Sequence, residues 1–505
     1  NLVNRIGYAP LHSAAYSGQL EVAQFLISEG VNKEVFDSNN GGTPLCLAAS
    51  GGHPEIVQYL GCVRADINAL TFHAAKLRCS EASWSYGTCA DDARDYTGTL
   101  LKECYGATPM FMAACRGHVA VVQSLTSLGA DLNLAREDGW TPLAIAALKG
   151  HTDVVKKLCE VGIDRELSGK TRFTPLMGAA MGGHASVVEI FASASCLTNC
   201  PGRNEHTPFC IAASCGHISV VRLLCNAGVD TNTHCPVGDT PMNQAALHGH
   251  IEIIRLLFAC RCDPSRPIIS GQTPLHTAAA EGHSEVVRCL MGLRVDISST
   301  NAEGQSPLLG AVVKGHLPVV RLLFKFNANL TQASTDGTTP LIAAAGGGHS
   351  ELISFLCDKG ADQHQANGVG ATPLFVASFS GHAEVVRLLC SLGACIDCMN
   401  KLGRTPLIAA AFQGHLDVMR CLCELGANEG WTANDGTTAV GTAAACGHLD
   451  IVKYLYHANA DILQTTNLNV APIQSARLAG HTSVVDFLEQ VTINAELSAV
   501  PISWM

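Results

Sequence analysis

Residues 273–287 read Thr-Pro-Leu-His-Thr-Ala-Ala-Ala-Glu-Gly-His-Ser-Glu-Val-Val, and variants of this stretch return along the chain with a period of 33 residues. The first marker of the period is the proline of the Thr-Pro-Leu-like triplet, which falls at Pro109, Pro142, Pro175, Pro208, Pro241, Pro274, Pro307, Pro340, Pro373 and Pro406, with Ala439 and Pro472 in the same register and Pro10 and Pro44 ahead of it. The second marker is a Gly-His pair, whose histidine lies nine residues after each of these positions except Pro10. Two markers in phase over most of the chain indicate a repeat protein.

Each repeat predicts two short helices. A hydroxyl side chain followed by proline caps and opens the first helix, and paired alanines within it allow a neighbouring helix to lie close. The glycine of the Gly-His pair favours a left-handed turn, and the second helix then shows apolar residues at helical spacing, as at Val286, Val287 and Leu290. A polar, Gly-rich stretch such as residues 136–140 predicts a hairpin-like loop before the next repeat.

The stretch from Thr273 to Val287 resembles the ankyrin repeat motif, whose period is 33 residues. The resemblance implies an all-α fold, an ankyrin-repeat α-solenoid of stacked helix-turn-helix units with hairpin loops, with about 14 recognisable repeats and one degenerate slot. The family usually has histidine after Thr-Pro-Leu, and only His12 and His276 keep it here. It binds unrelated proteins through one scaffold, so the resemblance names no partner.

The repeats divide the chain into four predicted regions. Between Pro44 and Pro109 the spacing is 65 residues, close to two periods, and the intervening segment is rich in aromatic residues. It is interpreted as a decayed repeat or an inserted loop, with a binding element as the functional alternative, because Trp and Tyr are frequent in interfaces. The regions are 1–69 with two N-terminal repeats, 70–106 as a degenerate repeat or insertion, 107–490 with twelve repeats, and 491–505 as a C-terminal tail.

Composition limits the partner and the compartment. The formal net charge of −11 argues against nucleic acid as the main partner. The sequence contains no run of 18 apolar residues, so no membrane-spanning helix is predicted. Among the 23 cysteines, a recurring set lies near the end of an apolar helix, where neighbouring repeats carry other small or apolar residues: Cys159, Cys225, Cys357, Cys390 and Cys423. This position is typical of reduced, buried thiols. We therefore expect a cytoplasmic or nuclear protein.

Residues that suggest chemistry are better explained by the repeat. The thirteen histidines of the Gly-His pairs occur once per repeat and are expected to bind loop backbone between neighbours. Cys395 and Cys398 form an isolated pair without a second pair at zinc spacing. The segment Gly169-Lys170-Thr171 lacks the first glycine of a phosphate-binding loop, because residue 164 is Asp. The sequence predicts no enzyme, no cofactor and no metal.

Two rows of variable residues are the candidates for partner binding. One row precedes each Thr-Pro in the hairpin, and the other precedes each Gly-His pair on the first helix. In ankyrin-like proteins these rows line the concave groove where partners dock. The candidates are Trp140, Phe173, Leu148, Lys149, Met181, Phe379, Phe412, Arg116 and Arg404.

The apolar candidates fall into two groups. One contains Trp140, Phe173, Leu148 and Met181, and the other contains Phe379 and Phe412. Each group is either an anchor for a partner peptide or helix, or packing along its own hairpins and helices. Asn68 and Asn133 resemble hairpin asparagines that are hydroxylated in ankyrin proteins.

The predicted function is a non-catalytic interaction scaffold or adaptor that binds other proteins. The alternative is that these repeats belong to a larger protein, such as a kinase, a ubiquitin ligase, a channel or a receptor, whose activity lies elsewhere. The chain begins at Asn1 rather than Met, which is consistent with this alternative.

Overall fold

The computed structural model describes residues 9–37, 41–71, 106–136, 139–167, 173–193, 206–232, 235 and 238–499. Within these ranges the chain forms twenty-eight helices and no strand. The prediction of an all-α fold of stacked helix pairs is therefore confirmed. None of the described helices has both the length and the apolar character that crossing a membrane requires.

Each repeat contributes two helices, and the first of them begins at or in register with the marker proline. The first helices are Pro10–Tyr16, Pro44–Gly51, Pro109–Arg116, Pro142–Lys149, Pro175–Gly182, Pro208–Ser214, Pro241–Leu247, Pro274–Ala280, Pro307–Val313, Pro340–Gly346, Pro373–Ser380, Pro406–Gln413, Ala439–Cys446 and Pro472–Ala479. The second helices are Leu20–Ser28, Pro54–Cys62, Val119–Ser127, Thr152–Glu160, Ala185–Ser193, Ile218–Asn226, Ile251–Ala259, Ser284–Gly292, Leu317–Lys325, Ser350–Asp358, Ala383–Ser391, Leu416–Glu424, Leu449–His457 and Thr482–Ala499.

Local chemistry sets these helix ends. In the repeat at Pro406 the hydroxyl of Thr405 accepts a hydrogen bond from the amide of Ile408 at 3.3 Å, and Pro406 occupies the first helical position, where no amide donor is needed. At the other end of the helix Gly414 has a φ of 84°, the left-handed conformation that glycine adopts without strain. The sequence signals at both helix ends are therefore confirmed.

The two helices of a repeat are buried differently. Ala409, Ala410 and Ala411 of a first helix are at most 2% exposed, because neighbouring first helices stack closely on both sides. A second helix buries one face only, as Val385, Val386 and Leu389 show. Because every helix pair needs neighbours to cover its apolar surface, stability depends on stacking.

The chain divides into two compact units, residues 1–269 and residues 270–505. The first unit contains seven described helix pairs, from the pair at Pro10 to the pair at Pro241. The second unit also contains seven, from the pair at Pro274 to the pair at Pro472. In each unit first helices pack on first helices and second helices on second helices.

The histidines of the Gly-His pairs connect consecutive repeats. Nε2 of His415 donates to the carbonyl oxygen of Phe379 at 3.1 Å, and Nε2 of His448 donates to that of Phe412 at 3.1 Å. The same bond joins His53, His118, His151, His184, His217, His250, His349, His382 and His481 to the repeat before each of them. The expected backbone bond between neighbours is present, but its acceptor lies at the end of the preceding first helix rather than in a loop.

Replacing one of these histidines is expected to weaken a single junction between repeats. In His382→Ala the carbonyl oxygen of Gly346 loses the 2.9 Å bond from the imidazole, which costs about 1–2 kcal/mol of unfolding free energy. Thermal unfolding followed by circular dichroism measures the loss. His364→Ala, at an exposed loop position, is the matched control. Equal midpoints for the two variants would contradict the role of the His382 bond.

The repeats at Pro44 and Pro109 are direct neighbours in spite of their long separation in sequence. Their first helices pack together, and Nε2 of His118 donates to the carbonyl oxygen of Ser50 at 3.0 Å, as in consecutive repeats elsewhere. The amide of Thr71 donates to the carbonyl oxygen of Ala107 at 3.0 Å, and the amide of Gly106 donates to that of Thr71 at 2.9 Å.

Of the two alternatives for residues 70–106, this geometry favours an insertion into one hairpin over a degenerate repeat. The chain leaves the hairpin after Thr71 and is back at Gly106, so no slot is left between the two helix pairs. The inserted residues 72–105 lie outside the described part of the chain, and so does the binding role considered for their aromatic side chains.

Candidate protein-binding surface

The last turn of the first helices presents side chains to solvent. The residue six positions after the marker proline is the last or the penultimate residue of the first helix. In several repeats it is exposed while the residues preceding it are mostly buried. In the second unit Val313, Phe379 and Phe412 occupy this position with 46%, 40% and 40% of their surface exposed. These residues form the first-helix row that was predicted from the repeat.

Phe379 and Phe412 pack against each other although both remain exposed. Their ring centroids are 6.3 Å apart and their planes differ by 15°, a stacked arrangement. The guanidinium carbon of Arg404 lies 5.7 Å from the centroid of the Phe412 ring, within the range of a cation–π interaction. We name these three side chains the Phe-Arg cluster. It joins the hairpin row, which supplies Arg404, to the first-helix row.

A carboxylate lies close to the Phe-Arg cluster. Asp435, in the next hairpin, accepts a hydrogen bond from the amide of Thr437 at 2.9 Å. Hydrogen bonding from the Thr437 side chain lowers the pKa of the Asp435 carboxyl, and the positive charge of Arg404 lowers it further. The surface therefore combines an apolar aromatic face with one positive and one negative charge. Interfaces commonly have this composition of an apolar centre and a polar rim.

The other aromatic group of candidates is more buried. The ring centroids of Trp140 and Phe173 are 4.2 Å apart with planes tilted by 38°, and Phe173 is 8% exposed. Trp140, Leu148 and Met181 are half-buried. Phe173 therefore packs against the neighbouring hairpin, while partner binding by this group remains a prediction.

The two basic candidates of the first unit differ in exposure. Arg116 is exposed at the end of its first helix, and Lys149 is half-buried at the corresponding place in the next repeat. They provide positive charge at the ends of two consecutive first helices, Pro109–Arg116 and Pro142–Lys149.

Asn68 and Asn133 belong to a series of bonds between hairpins. The side-chain oxygen of Asn68 accepts from the amide of Asp131 at 2.9 Å, and that of Asn133 accepts from the amide of Asp164 at 3.3 Å. Both asparagines therefore support the stacking of consecutive repeats. Their hydroxylation remains a prediction.

One group of side chains was not connected by the sequence pattern. His206 and Asp239 stand in the hairpin row, and the structure brings Cys235 to both of them. A hydrogen bond from the Cys210 thiol lowers the pKa of the Cys235 thiol to about 5. Because the group is drawn from two repeats, no local sequence motif contains all of its members. The signal in the sequence was His206 in the row of one hairpin and Cys235 in the following hairpin.

Several curated proteins are similar to part of this chain. The ankyrin repeat and KH domain-containing protein mask-1 of Caenorhabditis elegans is 33% identical over 142 residues, which cover 26% of this chain and 5% of that protein. The probable E3 ubiquitin-protein ligase XBOS32 of Oryza sativa subsp. japonica is 32% identical over 164 residues, covering 26% of this chain and 33% of that protein. The chain thus spans a small part of the length of these relatives.

A shorter relative and a solved structure match in the same way. Protein phosphatase 1 regulatory subunit 27 of Mus musculus is 41% identical over 63 residues, which cover 12% of this chain and 40% of that protein. The crystal structure of the human ASB11 ankyrin repeat domain has 26% identity and a TM-score of 0.38, and the match covers 41% of this chain and 92% of that chain.

The family model described as ankyrin repeats (3 copies) matches residues 1–71, 92–168, 110–199, 176–268, 244–334, 325–400 and 393–466. These matches span most of the sequence and coincide with the helix pairs and their histidine bonds. The chain therefore belongs to the ankyrin repeat family.

Proposed function

We propose that this protein is a non-catalytic interaction scaffold that binds a partner protein at the Phe-Arg cluster. The observation that carries the proposal is the exposed stack of Phe379 and Phe412 with Arg404 beside it. Aromatic and Arg side chains that are exposed on a rigid support are the usual anchors of protein interfaces. The helix pairs supply that support, because most of their other side chains are committed to stacking.

The chemistry of the partner follows from the surface. The two rings offer an apolar face as wide as one helical turn of a partner, and Arg404 with Asp435 offers a charge of each sign at its edge. A peptide or helix with apolar residues flanked by charged ones is complementary to it. The net charge of −11 supports a protein rather than a nucleic acid as the partner.

The proposed role requires no cofactor and fits a cytoplasmic or nuclear location. Every cysteine in the described residues is a free thiol, and six of them are buried, as expected where thiols stay reduced. The other candidates, Trp140, Leu148, Lys149, Met181 and Arg116, form a second and smaller contact area in this proposal.

A second candidate function keeps the same surface but assigns the activity to another part of a longer protein. The observation in its favour is the coverage of the relatives, since the matched region is 5% of mask-1 and 33% of XBOS32. In that case the repeats select the protein on which the remainder acts. Kinase, ubiquitin ligase, channel and receptor remain the classes proposed from the sequence.

The binding test has two stages. Proximity labelling in cells that make the protein identifies the partner, and the dissociation constant of the purified partner is then measured for the wild type and for Phe379→Ala/Phe412→Ala. We expect the double variant to bind about 10–100-fold more weakly, because interface anchors of this kind contribute about 1.5–3 kcal/mol. Both rings are exposed, so their removal leaves the core intact.

Leu463→Ala is the matched control, since Leu463 is 62% exposed in the same unit but lies away from the two rows. It should bind as the wild type does. An unchanged dissociation constant for the double phenylalanine variant would show that partners dock elsewhere, and the smaller area around Trp140 would be tested next.

A further inference from the structure

Two neighbouring hairpins of the first unit bring metal-binding side chains together. His206 stands just before Thr207-Pro208, and Cys235 and Asp239 stand in the hairpin before Thr240-Pro241. Nδ1 of His206 lies 4.0 Å from Sγ of Cys235. One ligand atom from each of His206, Cys235 and Asp239 lies within 4.8 Å of the other two.

A second thiol adjoins this group. Cys210 lies on the first helix Pro208–Ser214 and is 1% exposed, and its thiol is hydrogen-bonded to that of Cys235, which is 2% exposed. The four side chains thus offer two sulfurs, one imidazole nitrogen and one carboxylate. Two of these donors, the thiols, are almost fully removed from solvent.

The carboxylate of Asp239 is held in place by two amide side chains. Nε2 of Gln244 donates to Oδ2 at 2.8 Å, and Nδ2 of Asn243 donates to Oδ1 at 3.3 Å. Asn243 occupies the position at which His276 follows Thr-Pro-Leu in its own repeat. Hydrogen bonds of this kind orient the carboxylates that bind metals in proteins.

The distances are compatible with a single ion. A Zn–S bond is about 2.3 Å and a Zn–N bond about 2.0 Å, so a sulfur and a nitrogen on one tetrahedral ion lie about 3.5 Å apart. The 4.0 Å between Sγ of Cys235 and Nδ1 of His206 exceeds this separation by about 0.5 Å, which a small rotation of either side chain removes. Thiolate, imidazole and carboxylate ligands together favour Zn²⁺ over Mg²⁺ or Ca²⁺.

We infer that His206, Cys235 and Asp239 bind one Zn²⁺ ion, with the neighbouring Cys210 thiol as the candidate fourth ligand. The ion would fasten one hairpin to the next. The inference departs from the sequence-based expectation that the protein holds no metal. It is independent of partner binding at the Phe-Arg cluster, which lies in the other unit.

The test uses the full chain, reduced and freed of metal with a chelator. Titration with Co²⁺ should show one tight site with the visible absorption of tetrahedral cobalt and the near-ultraviolet charge-transfer band of thiolate ligation, both displaced by one equivalent of Zn²⁺. In Cys235→Ser and in His206→Gln the affinity should fall by at least about tenfold. Cys395→Ser/Cys398→Ser is the matched control, because it removes two thiols elsewhere and should leave the titration unchanged.

X-ray absorption of the Zn²⁺-bound wild type gives a measurement that does not depend on how the variants fold. One sulfur and two lighter protein ligands are expected, with a second sulfur where Cys210 completes the site. The inference is overturned if the zinc has no sulfur ligand, if Cys235→Ser retains the same cobalt site, or if peptide mapping of alkylated protein finds a Cys210–Cys235 disulfide. It is also overturned if the control variant, rather than Cys235→Ser, loses the ion.

Discussion

Gly381→Ala is expected to lower the unfolding free energy of the second unit by about 3 kcal/mol, against about 1 kcal/mol for Gly360→Ala. Both glycines have left-handed backbones, with φ of 86° and 88°, so both substitutions carry the same conformational cost. A Cβ on Gly381 would lie 2.7 Å from the imidazole ring of His415, whereas a Cβ on Gly360 meets nothing within 4 Å. The difference in unfolding free energy between the two variants therefore measures the steric clash between the new methyl group and the His415 ring of the next repeat.

Hydrogen exchange of the helices Ala383–Ser391 and Leu416–Glu424 provides the measurement, because it resolves the stability of single repeats. The double variant Gly381→Ala/His415→Ala removes the ring that the new methyl group would strike. It should therefore be less destabilised than the sum of the two single variants by about 1–2 kcal/mol. Additive losses would show that the ring does not limit the space at Gly381.

Leu389→Ala is also expected to destabilise the second unit strongly, with a loss of about 3 kcal/mol of unfolding free energy. Leu389 is 0% exposed, at the place where its second helix packs on the first helix of the same repeat and on the next second helix. Its removal leaves a cavity that neighbouring helices fill only in part. Urea unfolding followed by circular dichroism measures the loss.

Leu392→Ala is the matched control for this cavity. Leu392 follows the same helix and is 37% exposed, so its replacement should cost less than about 1 kcal/mol. Because each repeat contacts only its neighbours, exchange should accelerate first in the repeats that flank Leu389. A uniform acceleration throughout the unit would mean that the seven helix pairs unfold as one.

The sequence was sufficient to predict where helices begin. The signals at Thr405 and Pro406 act within a single turn, so they have the same effect in every repeat that carries them. The exposure of the aromatic candidates could not be predicted in this way. Phe173 and Phe412 stand in predicted binding rows, yet Phe173 is covered by Trp140 from the adjacent hairpin while Phe412 stacks on Phe379 and stays open.

Spacing alone left two alternatives for residues 70–106. A separation of 65 residues between Pro44 and Pro109 is close to two periods, which is compatible with a degenerate repeat or with an insertion. The backbone bonds between Thr71 and residues 106–107 show that the extra length enters and leaves at one hairpin. Surface connections such as these hairpins accept insertions more readily than the helices they join. The proposed zinc ligands were missed for a related reason: 29 residues separate His206 from Cys235, and only stacking makes them neighbours.

In Phe379 the main chain joins two repeats and the side chain is left available to solvent. Its carbonyl oxygen accepts the hydrogen bond from His415, while its phenyl ring is exposed. The junction therefore does not depend on which side chain occupies the position: Gly346, Val313 and Cys115 accept the equivalent bond with their carbonyl groups. An ankyrin array can exchange its recognition residues one repeat at a time while every junction keeps the same geometry, so new binding specificity arises without redesign of the stack.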